Sequence, residues 1–467
     1  MKTAIWWIRR DLRLSDNQAL SEALHQAEKV IPLFILDPIL QNSLNSGAPR
    51  LAFLYEGLRE LDTSLRQRGS QLILRKGMPK NELRVLLTES GAEAVFAEED
   101  ISPYARRRDK EIDRELPLVL LPGVTVQPVS SLCKQDGTPY TVFTPFSRMW
   151  RNQSFPGNPL ESPHQLPEVP ALTSLDIPTS PQSLPITQFT AGESEGQRRL
   201  KTFTNEKIFH YAAERNRMDL EGTSTLSPYL RFGMISARQA AAAAYQAEAQ
   251  AGNSTQRQGV EAWLNELIWR DFYAAILFNF PFVRENAFRP DFRRISWLQD
   301  AGGFTAWKEG RTGYPIVDAG MRQLNATGWM HNRARMITAS FLTKDLLISW
   351  QEGEQYFMQH LLDGDPASNN GGWQWSAGTG TDAAPYFRVF NPVLQGQKYD
   401  PLGNYVRDWI PELANVPDRY IHTPWLMPPD VQQSSRCIIG KDYPGPIIDH
   451  ALARQRALDA YRRSINL

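Results

Sequence analysis

In the stretch EAWLNELIWRDFY, residues 261–273, Glu266, Trp269, Arg270 and Tyr273 stand at i, i+3, i+4 and i+7, so a helix would put them on one face. An acid, an indole and a guanidinium together suit a wet recess for a heteroaromatic ligand; a Glu–Arg pair beside a core tryptophan is the plain structural alternative. DGDPASNNGGWQW, residues 363–375, gathers Asp363, Asp365 and Asn369 with two glycines. By itself it reads as an Asx-rich turn, and its carboxylates lack the His cluster or Ca²⁺-loop spacing that would imply a metal. In GTSTLSPYLRFG, residues 222–233, Thr223, Ser224, Thr225 and Ser227 precede a predicted helix. Hydroxyls there either cap the helix or, with free N–H groups, bind a phosphate. In GWMHNRARMITASF, Met330, Ala334, Ile337 and Phe341 form an apolar stripe while Asn332, Arg333 and Met336 point elsewhere. Met336 alone would be an ordinary gap-filler. Trp329, Trp350, Trp373 and Trp375 run through the same region, and an indole can pass an electron or carry a stacked base.

These residues need a scaffold. Short β-rich runs at 4–8, 30–36, 71–77, 94–100 and 124–129, with helical candidates between them, predict an α/β domain with a parallel, doubly wound sheet over residues 1–130. No G-x-G-x-x-G follows the first run, so the usual dinucleotide fingerprint is absent and the domain need not hold the main cofactor. Residues 131–197, rich in Pro, Ser and Thr, read as an interdomain connection, although VFTPFSRMW at 142–150 is aromatic enough to pack against a domain. Residues 198–467 carry helical periodicity and predict an all-α domain holding every site candidate above.

A chain of 467 residues accommodates two such domains. With 42% hydrophobic and 22% charged residues and no apolar run near bilayer length, no membrane partner is expected, and Arg9, Arg10 and Asp11 directly after Ile8 mark a strand end, not a secretory signal. A cytoplasmic location follows as the expectation. Cys133 and Cys437 stand far apart, without disulfide or zinc spacing. Lys+Arg equals Asp+Glu at 51 each, so a nucleic-acid contact requires a local basic face. Arg289, Arg293, Arg294, Arg333, Arg335 and Arg388 could form one, or be ordinary solvated arginines.

From WWIRRDLRLSDNQAL at the start to the 325–391 segment, the chain resembles class I DNA photolyases of the cyclobutane-pyrimidine-dimer type, in the photolyase/cryptochrome family. The resemblance implies a deoxyribodipyrimidine photo-lyase. Excited, fully reduced anionic FAD donates an electron to a pyrimidine dimer flipped out of UV-damaged single- or double-stranded DNA, and a monomer is expected. By resemblance, Tyr211 and the run Thr223, Ser224, Thr225, Leu226, Ser227 contact the FAD pyrophosphate. Arg270 and Asn332 lie near the flavin, Asp363 and Asp365 surround the isoalloxazine with Arg335 paired to Asp363, and Asn369 faces flavin N5. Glu266, Trp269, Asn332, Arg333, Met336, Trp375 and Arg388 match positions on the dimer or the DNA strand. Trp297, Trp350 and Trp373 match an electron-transfer chain and, with Glu266 and Asn369, complete the catalytic set.

Met336 stands where enzymes for (6-4) photoproducts carry the second histidine of H-x-x-x-H, and Asn369 where plant-type light sensors carry aspartate. A cryptochrome-like blue-light receptor is the alternative within the family; an NAD(P)H-dependent flavoenzyme would need a nicotinamide fingerprint. An antenna chromophore, whether deazaflavin, flavin or methenyltetrahydrofolate, would use part of EEDISPYARRRD, residues 98–109. Ala105, where folate binders carry an acid, leans toward deazaflavin or flavin.

Overall fold

The computed structural model describes residues 1–43, 46–179 and 189–465. Its N-terminal part is a five-stranded parallel sheet, β1 Thr3–Ile8, β2 Lys29–Leu36, β3 Ile73–Lys76, β4 Ala94–Glu98 and β5 Leu118–Leu121, in the order β3-β2-β1-β4-β5. β1 is buried at every position, as a central parallel strand must be. Its residues alternate between two cores. Ile5 and Trp7 pack with Leu83, Leu86 and Ile112 of the helices Pro79–Ser90 and Pro103–Asp113. Ala4, Trp6 and Ile8 join Leu20, Phe53 and Leu58 in a core that continues into the C-terminal helices through Trp263, Leu264 and Phe272. One face of the sheet is thus the floor on which the helical part is built.

The last strand differs from expectation. β5 is Leu118–Leu121, paired with β4, whereas residues 124–129 form no strand. Pro122 and Gly123 end the edge strand, and the next segment is captured by a carboxylate far along the chain. Asp271, fully buried on the helix Ser254–Asn279, accepts from the backbone N–H of Val126 (3.0 Å) and Gln127 (3.3 Å) and from Trp150 Nε1 (2.9 Å). The adjacent Arg270 donates to the Val124 carbonyl at 2.6 Å. Side chains here replace a strand partner. Burial pushes the Asp271 carboxyl up to about 6 despite Arg270 and its three donors. The three donors converge on Oδ2, so Asp271→Ala leaves all of them without their acceptor. We expect a loss of at least about 1–3 kcal/mol, the cost of even one unsatisfied buried donor, read as a lower denaturant midpoint at unchanged slope. An unaltered midpoint would remove Asp271 as a bolt between the two parts.

The aromatic stretch in the connection is ordered. The helix Phe143–Asn152 buries Phe146 and Trp150 against the Ser254–Asn279 helix. The helix Glu193–Asn205 begins within the 131–197 segment. Residues 180–188 of that segment, and 466–467 at the end of the helical region, lie outside the described residues. A second core, centred on Trp307, Met330, Ile337, Phe341, Trp350 and Trp373, holds the later helices together. Among the described residues no helix is long and apolar enough to cross a membrane.

Candidate functional site

The helix Ser254–Asn279 presents Glu266, Trp269, Arg270 and Tyr273 as a half-exposed row between fully buried neighbours such as Leu267, Ile268 and Phe272. Desolvation nonetheless pushes the Glu266 carboxyl and the Tyr273 phenol up and the Arg270 guanidinium down. Accessible side chains that are still desolvated are the combination expected of a recess and not of a convex surface. Glu266 is held in an ion pair by Arg215, with Tyr211 beside the pair.

The opposite wall is the helix Pro366–Ala377. Gly371 lies against the Tyr273 ring, where a Cβ would come within 2.2 Å, so glycine is obligatory for the two helices to approach this closely. At Gly372 a Cβ would meet nothing within 4 Å, which leaves bare backbone facing open space. Asn369 donates its amide to the Glu354 carbonyl at 3.0 Å. Asp363 receives Arg335 Nη2 on Oδ2 at 2.7 Å, while its buried Oδ1 has no hydrogen-bond partner. Asp365 differs from a ligand-facing acid. Its Oδ1 caps the helix through the N–H groups of Ala367 and Ser368 (both 3.0 Å), and its Oδ2 takes Arg10 Nη2 at 2.7 Å. Arg10, Arg231 and Arg270 hold its carboxyl well below the ordinary range against the opposing effect of burial.

The hydroxyl run does not cap its helix. Ser227 is the first residue of Ser227–Phe232, which takes no side-chain cap, and Leu226 is buried in the core, leaving only its backbone to meet a ligand. Thr225 adopts a left-handed φ of 51° and accepts from Arg199 Nη1 at 2.9 Å, and Trp329 Nε1 donates to Ser227 Oγ at 3.4 Å. Thr223 and Ser224 remain half-exposed. Near this turn, Arg231 donates to the Gly364 carbonyl at 2.8 Å, and Arg50 donates to the carbonyls of Met358 (2.6 Å) and Leu361 (2.9 Å). Burial, together with neighbouring arginines, lowers Arg231 to about 9; burial lowers Arg50 to about 10. Arg10, Arg50, Arg231, Arg270 and Arg335 outnumber Asp100, Asp363 and Asp365, so the local field favours an anion.

The helix Asn332–Ser340 starts after His331, whose Nδ1 accepts from Arg333 N–H at 3.1 Å. Ala334 and Ile337 are buried as the apolar stripe requires, with Met330 and Phe341 buried just outside the helix ends. Asn332 is exposed and approaches Met336 Sδ at 3.9 Å, so amide and thioether share one patch. Arg333 forks onto Asn216 Oδ1 (2.6 and 3.2 Å) and lies 4.4 Å over the Tyr399 ring. Arg335, counted from sequence toward a basic face, is instead tied to Asp363; Arg289, Arg293, Arg294 and Arg388 are the exposed members. Sequence reasoning missed Arg215 and Asn216. The polar run ERNRMD just after Tyr211 was the available signal.

Trp373 and Trp350 are buried in the second core and Trp297 packs at its edge, 6.1 Å from Tyr461 ring to ring. Gly353, one turn after Trp350, lies directly on the Trp373 ring, where a Cβ would come within 2.1 Å. Trp375 is half-exposed on the helix that buries Trp373. At the ends of the strands, Trp7 is covered by the guanidinium groups of Arg9 (4.8 Å) and Arg108 (4.7 Å), and Tyr104 donates to Asp37. Ala105 is buried at 1% exposure, so it offers no ligand-facing surface on which to separate one antenna from another.

Residues 263–463 match the family model described as the FAD binding domain of DNA photolyase, and residues 4–170 match the model described as DNA photolyase. A Synechococcus protein named deoxyribodipyrimidine photo-lyase is 39% identical, with 98% of this chain and 96% of that protein aligned. A class III photolyase structure from Agrobacterium tumefaciens superposes with a TM-score of 0.91 at 37% identity, covering 100% of this chain and 98% of that one. A Synechocystis cryptochrome gives 0.88 at 28% identity, covering 98% and 99%, and an archaeal photolyase from Sulfolobus tokodaii, described with two FAD molecules, gives 0.81 at 32%, covering 99% and 100%.

Proposed function

The chain belongs to the DNA photolyase family, and from that premise we propose that the recess between the Ser254–Asn279 and Pro366–Ala377 helices is where FAD and a pyrimidine dimer meet. The protein is a deoxyribodipyrimidine photo-lyase that repairs UV-damaged DNA in light. When bound, reduced anionic FAD supplies the photoexcited electron that splits the cyclobutane ring. The carrying observation is Asp363. Its Oδ2 is fixed by Arg335, and its buried Oδ1 lacks a partner, so this acceptor is oriented for a ring N–H of the flavin. The bare backbone at Gly372 leaves room for a flat ring nearby, and Asn369 is positioned by its bond to Glu354.

The hydroxyls of Thr223, Ser224, Thr225 and Ser227, with the surplus of buried arginines, hold the diphosphate and favour the anionic flavin. Tyr211, matched by resemblance to the FAD pyrophosphate, is buried beside the Glu266–Arg215 pair. Glu266, Trp269, Asn332, Met336 and Trp375 receive the two extruded bases, by hydrogen bonds from the polar groups and by stacking on the indoles. Arg333 and Arg388 reach for the flanking strand. The protein acts as a monomer in the cytoplasm; two free cysteines suit a reducing compartment. An antenna chromophore belongs over the strand ends near Trp7 and Tyr104, the crevice where strand order reverses between β1 and β4.

The purified protein is expected to carry one non-covalent FAD per chain and to restore a cyclobutane-dimer oligonucleotide under blue light but not in the dark. Folded protein with no flavin, and none taken up on reconstitution, would end this reading; bound flavin without repair would favour the cryptochrome alternative. Affinity for dimer-containing duplex should also fall with salt, by about 0.9 in log K per log unit for each phosphate neutralised by the exposed Arg289, Arg293, Arg294 and Arg388. A flat profile would remove the basic face.

A further inference from the structure

We propose that Phe143, in the connection between the two parts, is a positioning residue of the dimer pocket that backs Trp269 and ties it to the wall carrying Trp375. The inference rests on the assignment of Trp269 to the dimer made above. Phe143 lies parallel on the Trp269 indole, with ring centroids 3.7 Å apart and an interplanar angle of 0°. Phe272 meets both rings edge-on, at 5.9 Å from Phe143 and 5.6 Å from Trp269, closing a three-ring corner. Trp269 still keeps accessible surface, which must belong to the part of the indole that Phe143 does not cover. An indole backed in this way has one face committed, and a base can stack only on the other.

The segment is anchored to the second wall as well. The Phe143 N–H donates to Asp382 Oδ2 at 3.0 Å, and Thr381 Oγ1 donates to the Thr141 carbonyl. Thr381 and Asp382 lie four and five residues beyond the end of the Pro366–Ala377 helix, and Asp382 is held at a left-handed φ of 44°. Phe143 therefore touches the Trp269 wall through its ring and, through its backbone, the loop that follows the Trp375 helix. It is a second link between the two walls beside the direct Gly371–Tyr273 contact, and the one that bears on how the Trp269 indole is held. Among the described residues no hydrogen bond, ion pair or ring contact links Phe143 to Glu266, Asp363 or Asn369, so the effect expected is on recognition.

The test uses full-length protein with its flavin and reads the ratio of affinities for a single-stranded oligonucleotide with one cyclobutane dimer and for its undamaged counterpart. Phe143→Leu and Phe143→Met should each lower that ratio roughly threefold to tenfold, the worth of one aromatic pair expressed as affinity, at unchanged flavin content and undamaged-strand affinity. Phe143→Tyr should keep the ratio. In a Trp269→Leu background, Phe143→Leu should cause no further loss. The proposal is overturned if Phe143→Leu and Phe143→Met keep the parental ratio while Trp269→Leu loses it, or if the two losses simply add. A parental ratio in Trp269→Leu would instead remove the dimer assignment on which the inference stands.

Discussion

Replacing Trp373 by phenylalanine should stop light-driven reduction of the bound oxidised flavin while leaving repair by chemically reduced protein intact. The residue is buried, with Phe357 at 4.9 Å and Trp307 at 6.0 Å edge-on to its ring, and Gly353 pressed against its six-membered side. Phenylalanine keeps an aromatic ring in this shell, so the packing loss stays well under the roughly 3–5 kcal/mol of truncating a buried aromatic to alanine. What changes is redox character, since a phenyl ring is much harder to oxidise than an indole. Only about 1.4 kcal/mol of added barrier already slows a step tenfold, and the difference between the two rings exceeds that by far. Repair does not draw on this route once the flavin is reduced. Transient absorption after a light pulse would follow the reduction, and equal rates in Trp373→Phe and the parent would show that the buried indoles are not the path.

Local periodicity made some of this legible and distance concealed the rest. The row Glu266, Trp269, Arg270, Tyr273 could be read because helical spacing alone determines a shared face, and the structure shows all four half-exposed along one helix. The partner that orients Glu266 could not, because Arg215 stands 51 residues earlier and no pattern links the two. The Arg335–Asp363 pair was available only through resemblance. β5 was misplaced because residues 124–129 have the composition of a strand, while the carboxylate that claims their backbone donors lies 144 to 145 residues away. Asp365 shows a different limit. The loop by itself reads as an Asx-rich turn and only the resemblance puts Asp365 at the flavin; in the structure its oxygens satisfy a helix start and an arginine from the other end of the chain. Phe143 reads in sequence as part of an aromatic linker; that its ring would lie on Trp269 follows only from the fold.

Substrate choice is the second large expectation, because it rests on a few residues at which two related chemistries diverge. Met336 offers an apolar, adaptable surface and sits with Asn332 in one patch, 3.9 Å from amide nitrogen to sulfur. A thioether cannot serve as the general acid or base that a histidine supplies, so the patch can hold a cyclobutane ring but cannot move the proton that (6-4) chemistry requires. Blue light should therefore restore cyclobutane dimers and leave (6-4) photoproducts untouched. Glu266 contributes the polar half of recognition. It is desolvated, fixed by Arg215, and three residues from the indole of Trp269, so its free lone pairs can accept from the base edges. In Glu266→Ala those hydrogen bonds disappear and Arg215 loses its partner, which should weaken dimer binding and repair by about 10-fold to 100-fold, from about 1.5–3 kcal/mol per charged hydrogen bond. Flavin content should not change, because no group assigned to the flavin bonds to Glu266. Repair of defined oligonucleotides with each lesion, alongside the flavin absorbance of the variant, measures both halves; turnover of the (6-4) lesion alone, or release of flavin from Glu266→Ala, would overturn the assignment.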